Sequence, residues 1–185
     1  MIREKLKYFD FFPLKLYNSL GGNKMELLDL YDDNGKPINK TIVRGEKFDV
    51  GNIMLSIVFI KNSNGKYLIQ RTSEEKGSKF SSTGGHVGHG ESGLETILRE
   101  VKEELGLSID SNELQFISLV KHPDRPCVIN LYMLNMDVDV ETLKLQVEEV
   151  DSVHWLDEQE ILKLIKDNKF LASHGYLFEK YIINQ

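Results

Sequence analysis

Residues 84–107, GGHVGHGESGLETILREVKEELGL, decide how the rest of this chain is read. Leu94, Ile97, Leu98, Val101 and Leu105 recur at helical spacing and predict an apolar stripe turned toward a core. Off that stripe lie Glu100, Glu103 and Glu104, at i, i+3 and i+4, so their carboxylates converge on one patch. Like charges at this spacing weaken an isolated helix by about 0.2–0.5 kcal/mol per pair, which Arg99 and Lys102 partly offset. A hard divalent cation offsets far more, because Mg²⁺ is held by a few carboxylate oxygens together with water and substrate phosphates. The alternative use of such a pattern is a solvated acidic helix face. The glycines just upstream, Gly84, Gly85, Gly88 and Gly90, predict a tight backbone path into the helix, along which a carbonyl can face a metal.

Outward from this stretch, short apolar runs read as strands. Residues 53–60 form a long apolar run suited to a buried strand, the turn Asn62-Ser63-Asn64-Gly65 follows, and residues 67–71 return as its partner. Further upstream, residues 26–31 form another strand, closed by Asp32-Asp33-Asn34-Gly35. Downstream, residues 114–120 and 128–136 are two strands joined by the turn-rich His122-Pro123-Asp124-Arg125-Pro126, and residues 150–156 are a third. Asp157 with Glu160 three residues on opens a helix running to about Lys166, and residues 170–183 form a last, moderately amphipathic helix. Strands interrupted and flanked by helices predict one α/β domain, a mixed sheet between helices.

A chain of 185 residues suffices for one domain with a real core. Its 41% hydrophobic and 28% charged residues are ordinary globular values. A net charge of −6 speaks against binding a nucleic-acid backbone or a membrane surface. The single cysteine, Cys127, excludes an internal disulfide and fits a reducing cytoplasm; at a strand end it reads as a small hydrophobe. No apolar run approaches the roughly 18 residues of a membrane span. Residues 1–24 form a distinct N-terminal extension, aromatic at Tyr8-Phe9-Asp10-Phe11-Phe12 and loop-like at Asn18–Asn23, without the build of a signal peptide. Two readings apply to it. Leu20-Gly21-Gly22 is encodable as a purine-rich ribosome-binding sequence two codons before Met25, so translation starts at Met25; alternatively the segment is an arm that packs on the domain or on a second copy in a homodimer.

The stretch at 84–107 resembles the Nudix box without a gap. Gly85, five residues, Glu91, seven residues, Arg99-Glu100, apolar Val101, one residue, Glu103-Glu104, one residue, Gly106 and apolar Leu107 follow that family's pattern in order. The resemblance spans residues 25 to about 160 and implies a Nudix-type α/β/α sandwich over 25–185. It also implies a Mg²⁺- (or Mn²⁺-) dependent hydrolase that cleaves the diphosphate linkage of a nucleoside diphosphate derivative or related small molecule. On this reading Glu100, Glu103 and Glu104 hold the metal with the Gly85 carbonyl, while Glu91 and Arg99 orient loop and helix and Gly106 closes the box. The general base lies in the box, at Glu103 or Glu100, or outside it, where Glu149 or Glu148 precedes a late strand. A pyrophosphate linkage is anionic and resists nucleophiles, so charge must be neutralised, water positioned and the leaving phosphate stabilised. Candidate cations for the substrate phosphates are Arg71, Lys76 and Lys79, with His122 and Arg125 on a loop suited to selecting the remainder.

Leu68-Ile69-Gln70-Arg71 and Gly84-Gly85-His86-Val87 further resemble the branch of the family near isopentenyl-diphosphate isomerase. There, a histidine matching His86 binds metal and a cysteine matching Gly84 is catalytic. Gly84 lacks that thiol, and Asn52 and Ser56 stand in the neighbourhood of two upstream histidines, which disfavours alkene protonation. His86 and His89 otherwise read as solvent-facing or hydrogen-bonded loop histidines. A noncatalytic ligand-sensing domain is the third reading, opposed by the intact glutamate set.

Overall fold

The computed structural model describes residues 25–183; the N-terminal extension, with the alternative-start and dimer-arm readings attached to it, lies outside them. In chain order come strands β1 (Leu27–Tyr31), β2 (Pro37–Val43), β3 (Ile53–Lys61), β4 (Tyr67–Thr72), β5 (Phe80–Ser81) and β6 (Thr83–His86). Helix α1 (Gly93–Leu105) is followed by β7 (Leu114–Lys121), β8 (Cys127–Asn135) and β9 (Val150–Leu156), then α2 (Glu158–Lys166) and α3 (Ala172–Leu177).

Period-two alternation sorts the sheet into two faces. In β3, Ile57 and Phe59 enter one core while Val58 and Ile60 enter another; β4 splits Tyr67 and Ile69 from Leu68, and β8 splits Ile129 and Leu131 from Tyr132 and Leu134. Helix α1 covers one face with Ile97, Val101 and Leu105, and α2 and α3 cover the other with Ile161 and Leu177. This is the expected α/β/α sandwich. Its central pair, β3 and β8, is parallel over nine residues; the β3–β4, β4–β9 and β7–β8 pairings are antiparallel, so the sheet is mixed. Burying Ile97, Val101 and Leu105 contributes about 1.5–3 kcal/mol each, several times the repulsion among the helix carboxylates.

The splay between β3 and β4 positions the site. They pair directly only at Ile60–Leu68 and Lys61–Tyr67. Beyond that point β6 takes the vacated edge of β3, and β5 that of β4. The segment leading into the glycines, residues 80–86, is thus wedged into the sheet. The two hairpin turns share one device. Asp32 Oδ1 accepts from the amides of Asn34 and Lys36 (2.8 and 2.9 Å), and Asn62 Oδ1 from those of Asn64 and Lys66 (3.0 and 2.9 Å).

Two expectations need correction, and one strand went unread. Leu94 is 37% exposed and not part of the buried stripe, because Gly93 sits down on Asn130 and Ser56 and turns its neighbour outward. Strand β2 went unread because Asn39, Lys40 and Thr41 interrupt its apolar residues and four of its seven positions are exposed; among the described residues it pairs with β1 in a two-stranded sheet. The last helix is not continuous from residue 170. Phe170 bridges to Phe80, α3 begins at Ala172, and Phe178–Ile182 continues in wider π-type turns. Those turns place Phe178 in the core, 5.6 Å from the ring of Phe59 and 5.1 Å from that of Tyr67.

Candidate active site

Glycines let α1 press against β6. A methyl group on Gly85 would overlap the Glu100 carboxylate, and one on Gly84 would lie 2.9 Å from Ile57 Cα. The position that the isomerase-like branch gives to a cysteine therefore has no room for a side chain on this backbone. Ser92 caps α1: its Oγ accepts from the Glu95 amide (3.2 Å), and the Glu95 carboxylate accepts from the Ser92 amide (2.8 Å). Such a cap stabilises a helix by about 1 kcal/mol.

Arg99 is the hub of the box. Its Nε donates to Glu91 Oε1 (2.8 Å) and its Nη2 to Glu91 Oε2 (3.0 Å), a two-bond fork. Its Nη1 donates to Glu100 Oε1 (2.8 Å) and to Glu103 Oε2 one turn along (3.1 Å). Nη2 also reaches the His86 carbonyl (3.4 Å). Glu91 further accepts from Thr96 Oγ1 (2.8 Å) and the Gly88 amide (3.2 Å), so the glycine loop, the helix and β6 are fixed to one another through one ion pair. Bonding to Arg99 holds the Glu91 carboxyl below the usual range, and bonding to Glu91 raises the Arg99 guanidinium.

Glu104 and Glu100 carry the strain of the site. Glu104 is 5% exposed, and burial, reinforced by the charges of Glu100 and Glu149, pushes its carboxyl up to about 8. Gln70 Nε2, 3.1 Å from Glu104 Oε2, and the Gly84 N–H act in the opposite direction. Burial also raises Glu100, opposed by Arg99 and reinforced by Glu103 and Glu149. Glu103 is half exposed.

Glu149 reaches this cluster from far along the chain because its loop is tied to the end of α1. The Lys144 amide donates to the Leu105 carbonyl and the Gln146 amide to the Glu104 carbonyl (both 3.1 Å), satisfying last-turn acceptors. Gly106 ends the helix at φ 69° and leaves space for Lys144, whose Cβ would lie 2.7 Å from a methyl group there. On the other side, Ser73 Oγ donates to the Glu148 carbonyl and the Ser73 amide to the Glu149 carbonyl (both 2.8 Å). Lys76 Nζ sits 3.3 Å from Glu149 Oε1.

The remaining sequence candidates are spread differently. Desolvation, with the charges of Arg44 and Lys76, pushes the His86 imidazole down to about 3, so it is neutral at physiological pH. His89 is exposed and ties the glycine loop to the β1–β2 hairpin: Asp29 accepts from Thr41 Oγ1 (2.7 Å) and the Gly90 amide (3.0 Å), and lies 2.8 Å from His89 Nδ1. Lys79 is partly buried, its backbone paired with Thr72. Arg71 alternates onto the face of Tyr67 and Ile69, opposite Gln70, and pairs with Asp151 (3.4 Å). His122 is buried, with its ring 5.8 Å from that of Tyr176. Sequence reasoning missed Gln70, Thr83, Asp29 and Arg44. Gln70 alone carried a signal, as an amide closing the apolar run Tyr67-Leu68-Ile69.

By donor chemistry these residues fit a hard divalent cation: two desolvated carboxylates, Glu100 and Glu104, repel each other with Glu103 and Glu149 beside them. Among the described residues no three acidic or imidazole side chains close into a cage by themselves. Mg²⁺ seldom uses one, relying on one or two carboxylates plus water and phosphate oxygens. No helix among the described residues is long and apolar enough to cross a membrane.

The family model for the NUDIX domain matches residues 55–178. The chain is 30% identical over 152 residues to an uncharacterized Nudix hydrolase of Listeria innocua, covering 80% of this chain and 89% of that one. A second such protein, from Listeria monocytogenes, is 30% identical over 165 residues, covering 86% and 95%. Among solved structures, DR0079 from Deinococcus radiodurans superposes with a TM-score of 0.74 at 22% identity, over 84% of this chain and 99% of that one. A MutT protein from Methanosarcina mazei does so with a TM-score of 0.55 at 21% identity, over 72% and 95%. At these identities the solved structures speak for the fold.

Proposed function

The chain belongs to the Nudix family and is a hydrolase acting on pyrophosphate bonds, and on that premise we propose that it works with Mg²⁺ (or Mn²⁺) held by Glu100, Glu103, Glu104 and the Gly85 carbonyl. Its substrate is a small nucleoside diphosphate derivative or related diphosphate, opened by attack of water on phosphorus. The observation that carries this reading is the pair of buried carboxylates, Glu100 and Glu104, raised by desolvation, with the charge of Glu149 acting on both. When bound, such a cation supplies charge neutralisation at phosphorus and a more acidic water.

The protein's own residues do the rest. Arg99 fixes Glu91 and hence the glycine loop, and steadies Glu100 and Glu103 on their helix. Glu149 is the carboxylate placed to take the proton of the attacking water, with Glu103 and Glu100 the box alternatives. Lys76 Nζ lies 3.3 Å from Glu149 Oε1, a contact between two partly exposed side chains at the rim of the site. Lys79 and the neutral His86 supply substrate contacts. The charges of Arg44 and Lys76, both felt at His86, favour an anionic substrate there. The protein works in the cytoplasm.

Product release from a panel of nucleoside and other diphosphates, with and without Mg²⁺, tests this for wild type, Glu103→Gln and Glu104→Gln. Hydrolysis that needs the metal and is lost in both variants is expected. Equal rates in the presence of a chelator, or full activity in both variants, overturns it.

A further inference from the structure

We propose that Gln70 is the positioning residue for Glu104, and that Thr83 fixes which end of its amide faces that carboxylate. The inference rests on the reading of Glu104 as a metal ligand.

Gln70 lies on β4, on the face shared with Leu68, and is 4% exposed. A buried amide at the end of an apolar strand costs free energy unless both ends are bonded, and here both are. Thr83 Oγ1, itself buried, donates to Gln70 Oε1 (3.3 Å), and Gln70 Nε2 donates to Glu104 Oε2 (3.1 Å). A hydroxyl donating to one end leaves only the amino end for Glu104, so the amide offers the carboxylate a donor that carries no titratable proton.

Thr83 leads directly into Gly84 and Gly85, the second of which lies against Glu100. The wedge strand β6 therefore bears on Glu104 through Gln70. Groups that orient a ligating carboxylate from behind change metal affinity by about 10–100-fold when removed.

The experiment is Mn²⁺ binding to metal-stripped protein, read from the paramagnetic resonance signal of free Mn²⁺. Wild type is compared with Gln70→Met, Thr83→Val, Thr83→Ser and Glu104→Gln, with urea midpoints recorded alongside. Gln70→Met is expected to weaken Mn²⁺ by about tenfold or more, with hydrolysis recovered at high metal. Thr83→Val moves affinity the same way by less, and Thr83→Ser restores it, a pattern that a merely structural loss does not give. If Glu104→Gln loses Mn²⁺ while Gln70→Met and Thr83→Val bind it as wild type does, the positioning role is refuted and the ligand reading survives. If Glu104→Gln itself binds Mn²⁺ normally, the ligand reading fails and takes this inference with it. Should Gln70→Met not fold, the contrast between Thr83→Val and Thr83→Ser decides.

Discussion

Cutting the fork between Arg99 and Glu91 should loosen the glycine loop from α1 by an amount that a double-mutant cycle can read. The pair is two parallel charge-assisted bonds of 2.8 and 3.0 Å, between a guanidinium side chain 36% exposed and a carboxylate 21% exposed. An exposed ion pair contributes about 0–1 kcal/mol. A hydrogen bond to a charged group contributes about 1.5–3 kcal/mol. Partial exposure places this pair between those limits, with a coupling energy of about 1.5–2 kcal/mol. Arg99→Ala alone should cost more, about 3 kcal/mol, because Glu100, only 13% exposed at its side chain, also loses its cation. Arg99→Lys recovers little, since a point charge cannot reproduce the fork. Urea unfolding of wild type, Arg99→Ala, Glu91→Gln and the double variant gives the coupling. A value below about 0.5 kcal/mol, typical of independent sites, would refute the claim that this ion pair joins loop to helix.

Other perturbations address separate parts of the reasoning. Gly85→Ala should leave the fold intact but displace the Glu100 carboxylate, so hydrolysis falls while the urea midpoint moves little; unchanged turnover would contradict the close approach of strand and helix. Gly106→Ala combines a left-handed backbone at φ 69° with a methyl group 2.7 Å from Lys144 Cβ. It should destabilise by about 1–2 kcal/mol in urea unfolding. Phe178→Ala, emptying the aromatic contact with Phe59 and Tyr67, should cost about 3–5 kcal/mol by the same measurement. In metal-free protein the Glu104 carboxyl, raised to about 8 from the ordinary 4.5, binds its proton more tightly folded than unfolded. Its contribution is therefore present below pH 4.5 and lost as pH rises toward 8. With chelator present, Glu104→Gln should have a flatter stability profile over that window than wild type, measured by urea midpoints; parallel profiles would contradict the burial of an ionisable group there.

Local chemistry made much of this molecule legible in its residues alone. The 3.6-residue spacing of Ile97, Val101 and Leu105, the two Asx-closed hairpin turns, and the Asp157–Glu160 cap each depend on neighbours a few positions away, and each stands where the spacing predicts. The contact of Arg99 with Glu103 is of the same local kind, because i and i+4 meet on any helix. Strand β2 and the π-type end of the chain were not legible. One is a half-exposed strand whose apolar residues are broken by Asn39, Lys40 and Thr41, with Ile38 and Ile42 packed on the core, and the other is shaped by where Phe178 finds room beside Phe59.

The sequence by itself determined the sandwich, the family and the row of carboxylates, since these follow from periodicity and motif spacing. Only the tertiary structure decided how that row is used. It brought Gln70 from β4 and Glu149 from a loop more than forty residues beyond the box against the same helix, and set Arg71 on the opposite face of the sheet. Contacts across such separations depend on how β3 and β4 splay and on which carbonyls α1 leaves open at its end. Both are properties of packed backbone, which no window of sequence encodes.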